Sequence, residues 1–143
     1  MRKIILILLI SFLMTGCFGE TGSGIITKTC TKTIDEDNIS ITQERVIKNE
    51  NNNVIVVIFQ DTIINNGNDN YFKALKNSYT SEANNLNNSN VLATVNNEKD
   101  KELTVTYNFN YSDLDSTIKE KYNLTDLNHN QIKKYEEEGY KCK

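Results

Sequence analysis

The chain predicts an α+β fold: an antiparallel sheet of about five strands, built as a three-strand meander, a helix and a hairpin, with two or three helices packed on it. Three observations carry that expectation. β-branched residues crowd the segments 25–34, 39–47 and 54–59, separated by breaks rich in Asp and Asn. Apolar residues then recur at spacings of three and four from residue 72 to 86, and a strict alternation returns at 103–109. A length of 143 residues leaves room for one domain with a short leader.

Taken in order, the first strand (25–34) places Ile26, Lys28, Cys30, Lys32 and Ile34 on one parity. Its other parity holds Ile25 and the threonines 27, 29, 31 and 33, a partly solvated face. Asp35-Glu36-Asp37-Asn38 turns the chain into a second strand, 39–47. Asn49–Asn53 turns it again, since asparagine tolerates positive φ better than most residues. Val54–Phe59 is apolar on both parities, which predicts a central strand covered on both faces. Asn65-Asn66-Gly67-Asn68 stops it. Phe72, Leu75, Tyr79, Ala83 and Leu86 then form one buried stripe of a helix, whose first amides Asp69 or Asn70 can cap.

After a polar break at 84–90, Val91–Val95 and Leu103–Phe109 form a hairpin around Asn96–Asp100. Its second strand alternates, with Leu103, Val105, Tyr107 and Phe109 inward. Ser112 starts a short helix with Asp115 in the third position and Leu114, Ile118 and Tyr122 on one face. A last helix begins near Asn128 with Gln131 as its capping-box partner and carries Ile132 and Tyr135. It closes on Gly139 in the left-handed position, with Tyr140 packed back on Tyr135. Glu136, Glu137 and Glu138 sit at its negative end as a solvated face.

The N-terminus carries an address. Met1-Arg2-Lys3 is basic, and Ile4–Met14 is an apolar run of 11 residues. That fits the roughly 7–15 of a signal-peptide core and falls short of the ~18 that span a bilayer. Leu13-Met14-Thr15-Gly16-Cys17 resembles the lipobox of bacterial lipoproteins, with Met14 where leucine is more usual. The resemblance implies cleavage between Gly16 and Cys17 and a diacylglycerol on the Cys17 sulfur. The expected organisation is a signal peptide at 1–16, a flexible tether at 17–24 and a single α+β domain at 25–143. An ordinary secreted protein cut nearby is the alternative.

Cleavage removes Arg2 and Lys3 from 16 basic residues and no acid from 19, so the net charge moves from −3 to −5. An acidic surface has no attraction to anionic headgroups, which leaves the lipid to hold the protein at the membrane. With Cys17 acylated, Cys30 and Cys142 remain. An exported pair reads as a disulfide that ties the C-terminal tail to the first strand. A catalytic thiol or metal ligand would lack a CxxC spacing and have only His129 to assist.

Thr29-Cys30-Thr31-Lys32-Thr33, the Val54–Phe59 strand and the closing Gly139-Tyr140-Lys141-Cys142 resemble the YehR-like family of small bacterial lipoproteins, over essentially the whole of 30–143. The family is a domain of unknown function, so the resemblance implies architecture and a cell-envelope address and supplies no substrate.

Acidic balance excludes a basic field for nucleic acid. One histidine argues against a His-rich metal site or a Ser-His-Asp triad, and no Gly-rich loop resembles a phosphate cradle. The expectation is a non-enzymatic binding or interaction module on the extracytoplasmic face of the cell membrane. It has no catalytic, cofactor or metal residues to name, and its partner is an unidentified protein or small molecule. Recognition by aromatics would draw on no more than two of Tyr71, Tyr79, Tyr107, Tyr111, Tyr122, Tyr135 and Tyr140. Two alternatives stand beside it. One is a small hydrolase pairing carboxylates among Asp35, Asp37, Asp61, Asp113 and Asp115. The other is weak divalent-cation binding at Asp35-Glu36-Asp37, which lacks the glycine and distal glutamate of a calcium loop.

Overall fold

The computed structural model describes residues 24–143, apart from residues 88 and 90 and the side chains of 97 and 98. The leader, the Gly16–Cys17 cleavage site, the lipidation site Cys17 and all of the tether but Gly24 lie outside the described residues.

Six strands form one sheet in the order β4-β5-β3-β2-β1-β6, with every neighbouring pair antiparallel. The strands are β1 (Ile26–Glu36), β2 (Ile39–Glu50), β3 (Asn53–Asn65), β4 (Leu92–Lys99), β5 (Glu102–Asn110) and β6 (Lys141–Cys142). Three helices accompany them: α1 (Asp69–Asn87), α2 (Ser116–Lys121) and α3 (Asn128–Glu137). The architecture is thus the expected α+β, with one strand more than expected because the C-terminal tail itself pairs with β1.

The meander rests on asparagine. The β1–β2 turn places Asp37 and Asn38 at φ 49° and 61°, and the β2–β3 turn places Asn51 and Asn52 at 49° and 65°. Two successive positive φ values in a two-residue loop match the right-handed twist of the strands they join. A register shift between Lys48 and Asn49 leaves Ile55 unpaired, so Val54 and Val57 both point into the core.

β3 corrects the expectation of a strand covered on both faces. It is central, between β5 and β2, but all its buried residues from Val57 on are odd-numbered. Opposite them, Gln60 and Ile64 are exposed, and Val56, Ile58 and Thr62 are half-buried. The strand is also longer than its apolar run, because Asp61 continues the inward parity. Inside, Phe59 and Phe109 meet edge to face with centroids 4.9 Å apart, and Ile39, Ile47, Val57, Ile63, Leu103 and Val105 are fully enclosed in the same core.

The helix starts differ in detail from the sequence expectation. Asn68, rather than Asp69 or Asn70, caps α1, its Oδ1 accepting from the Tyr71 N–H at 3.1 Å. Asn65 is buried at the end of β3, where its Oδ1 accepts from Gly67 and Asn68, so the turn into α1 is shaped by β3 itself. For α2 the cap is Asp115, not Ser112. Its carboxylate accepts from the Thr117 hydroxyl and from the Thr117 N–H, the latter at 2.7 Å, and these two bonds, the hydroxyl's first, lower its pKa. Gln131 is fully buried, but its Oε1 accepts from the Thr125 N–H at 2.6 Å instead of closing a capping box, which fastens the α2–α3 loop. α3 ends as expected. Gly139 has φ 90°, its N–H bonds the Glu136 carbonyl, the Tyr140 N–H bonds the Tyr135 carbonyl, and the two tyrosine rings lie 5.3 Å apart.

The tail then enters the sheet. Thr29 and Lys143 exchange both backbone hydrogen bonds, which sets Cys30 directly opposite Cys142 with Cα atoms 4.0 Å apart, and the two are joined as a disulfide.

Candidate functional site

Away from the strand ends, where Asn49 and Asn65 are buried, the covered face of the sheet carries its charged groups on two adjacent cross-strand rows. One runs Cys142–Cys30–Arg45–Phe59–Tyr107–Ala93, and the next contains Gln43–Asp61–Val105–Val95. Period-two alternation forces Arg45 and Asp61 inward with Ile47 and Ile63, and the diagonal between the rows brings them together. Arg45 Nη1 donates to Asp61 Oδ1 at 2.6 Å, with each side chain only 7% exposed. The guanidinium lies 4.1 Å from the centroid of the Phe59 ring and also donates to the Glu44 carbonyl.

Above this pair lies an open cleft of about 370 Å³ between α1 and the sheet. Small-molecule sites occupy roughly 300–1,000 Å³. Arg45, Asp61 and Phe59 form the floor. Leu75, Ser78, Tyr79 and Glu82 come from α1, Tyr107 from β5, and Tyr122 from the end of α2. The helix supplies its four residues because 75, 78/79 and 82 recur at three and four on one face.

Two carboxylates organise the phenols. Tyr79 Oη donates to Asp61 Oδ2 at 3.0 Å; Tyr122 Oη donates to Glu82 Oε1 at 2.6 Å and Tyr107 Oη to Glu82 Oε2 at 3.5 Å. Burial first, and these neighbouring carboxylates with it, push the pKa of all three phenols well above the ordinary 10.0. They therefore keep their protons, and those protons stay committed to carboxylate oxygens. Lys121 sits at the rim, its Nζ 3.6 Å from Glu82 Oε1 and 4.9 Å from the centroid of the Tyr122 ring.

The residues singled out from sequence are largely elsewhere. Asp61 alone among the five candidate carboxylates is in the cleft, and it is an ion-pair partner inside the strand rather than a strand-end residue. Asp35 is an exposed residue near the end of β1 that accepts from the hydroxyl of its cross-strand partner Ser40, Asp37 forms the β1–β2 turn, and Asp113 and Asp115 lie in the loop before α2. His129 is an exposed residue whose Nδ1 accepts from Asn52 Nδ2 at 2.8 Å, with its backbone N–H on Asn52 Oδ1. Among the described residues no cluster of three His, Cys, Asp or Glu is arranged to hold a metal ion. No helix among them is long and apolar enough to cross a membrane.

Of the seven tyrosines, Tyr79, Tyr107 and Tyr122 line the cleft. Tyr140 is buried with its hydroxyl donated to Gln43 Oε1, Tyr135 is buried, and Tyr111 donates to the Thr125 carbonyl. Arg45 and Glu82 were not anticipated. Each carries a readable signal: Arg45 is a cation on the inward parity of Ile39, Ile41 and Ile47, and Glu82 lies on the Leu75–Tyr79–Leu86 stripe.

No family model and no curated protein matches the chain. Its fold is similar to that of an NMR structure of a protein from Streptococcus pneumoniae TIGR4, with a TM-score of 0.54 and 18% identity over 84% of this chain and 86% of the other. At that identity the likeness concerns the fold alone.

Proposed function

We propose that this protein is a non-enzymatic, lipid-anchored binding module of YehR-like type, held at the extracytoplasmic face of the cell membrane by acylated Cys17. Its ligand enters the tyrosine cleft. The observation that carries the binding site is the Arg45–Asp61 pair beneath an open cavity. Buried ion pairs are seldom better for stability than apolar residues of the same volume, so charges on an otherwise apolar floor suit recognition better than packing. The cleft's carboxylates each hold neighbouring side chains in place, and the one histidine is engaged with Asn52, which supports binding over hydrolysis. Lipobox, basic start and tether support the anchor, and two or three acyl chains hold far more firmly than one.

Metabolic labelling with palmitate tests the anchor: label in the wild type and none in Cys17→Ser supports it, and unlabelled wild-type protein with its leader intact overturns it. Capture from native envelope fractions tests the site. Material retained by the wild type is lost with Tyr122→Ala if the cleft binds it, and undiminished capture excludes the cleft.

A further inference from the structure

Hydrogen-bond direction in the cleft defines the chemistry of what it can hold. Each phenol spends its single proton on a carboxylate, so Tyr79, Tyr107 and Tyr122 turn lone pairs outward. Asp61 and Glu82 are acceptors only. The floor guanidinium has Nη1 committed to Asp61 and its face covered by Phe59. The Ser78 hydroxyl and the remaining Arg45 N–H groups are the donors in the lining; around Glu82 the accessible groups are otherwise acceptor oxygens and the electron-rich Tyr107 and Tyr122 ring faces, with Leu75 as an apolar wall. Such a surface matches a donor-only cation on a short hydrocarbon stem.

The chain already shows the match. The Lys121 ammonium lies over the Tyr122 ring and against Glu82, yet its side chain is 58% exposed, at the rim rather than inside. An exposed pair of this kind contributes little and is readily exchanged.

Resting on the cleft as the binding site, we propose that the ligand is a primary alkylammonium group, seated between Glu82 and the Tyr107 and Tyr122 rings, and that Lys121 is the internal cation it displaces. The group can belong to a free small amine or to a lysine side chain.

The chain has no tryptophan and three of its seven tyrosines line the cleft, so tyrosine emission carries a signal from it. The full lipidated protein in nonionic detergent is titrated with n-butylammonium, N-acetyl-lysinamide, n-butanol and butyrate. Saturable quenching by n-butylammonium and not by butanol or butyrate supports the proposal. Parallel binding of N-acetyl-lysinamide assigns the group to lysine side chains, and its exclusion assigns it to free amines. Glu82→Gln weakens butylammonium about tenfold. Lys121→Ala tightens it several-fold, a gain that misfolding cannot mimic. Equal binding of butanol or butyrate, or unchanged affinity in Lys121→Ala, overturns the ammonium assignment. Silence from every probe, while envelope capture still requires Tyr122, overturns the ligand class and leaves the cleft standing. Capture indifferent to Tyr122 removes both.

Discussion

Arg45 and Asp61 are both buried, and each serves as the other's counterion. Removing one partner leaves the other charged and desolvated, so Arg45→Met is expected to destabilise by about 3–5 kcal/mol in urea unfolding. The double variant Arg45→Met/Asp61→Leu recovers most of that loss, because no buried charge is stranded; a double variant as unstable as the single would refute the reasoning. Tyr135 is the opposite case. Its hydroxyl is buried without a hydrogen-bond partner. Tyr135→Phe keeps the ring and removes the unsatisfied group, so stability rises by about 1 kcal/mol. A loss of similar size would mean that the hydroxyl has a partner in solution. The signal for both sites lay in parity: an ionisable residue at an inward strand position is a buried charge in search of a counterion. Sequence alone could not say that Arg45 finds Asp61, because the pairing depends on the offset between two strands.

Elements differ in how they are held. α1 is started by a side chain beside it in the sequence, Asn68, whereas β6 is two residues long and owes its place to what surrounds it. Its hydrogen bonds with Thr29 and the Cys30–Cys142 bridge are its attachments to the sheet. The bridge spans a sequence separation of 112, and closing a loop near 100 residues is worth about 4–5 kcal/mol in the chain-entropy account. Cys142→Ser is therefore expected to destabilise by about 2–5 kcal/mol and to speed amide exchange at Thr29 and Lys143 before the central strands. Uniform exchange across the sheet would show instead that β6 is integral to global stability. The tie between the C-terminal tail and the first strand is legible in the two cysteines. The tail's rank as a sixth strand was not legible, since two residues carry no periodicity.

For the molecule as a whole, the tyrosines set the alkaline limit. Burial raises the phenols of Tyr79, Tyr107, Tyr122 and Tyr135 above the 10.0 they have when unfolded. Up to that pH both states keep the protons and the contribution to stability is whole. Above it the unfolded chain releases protons that the folded chain retains, so stability falls as pH rises. Thermal melting followed upward from pH 9 is expected to hold level and then drop, with tyrosinate absorbance appearing together with unfolding. Free ionisation of these phenols at constant melting temperature would contradict the buried assignment.

Local physics sufficed for much of this protein. β-branched density and paired asparagines specified the meander, a three–four stripe specified α1, and Gly139 with Tyr140 specified the end of α3, because each depends on residues a few positions apart. The one-sided cover of β3 and the cleft depended on contacts between residues distant in the chain. An apolar run reads the same whether one face or two is buried. Arg45, Asp61, Tyr79, Glu82, Tyr107 and Tyr122 come from five separate elements, and only strand register and helix docking bring their charges and hydroxyls to a common point.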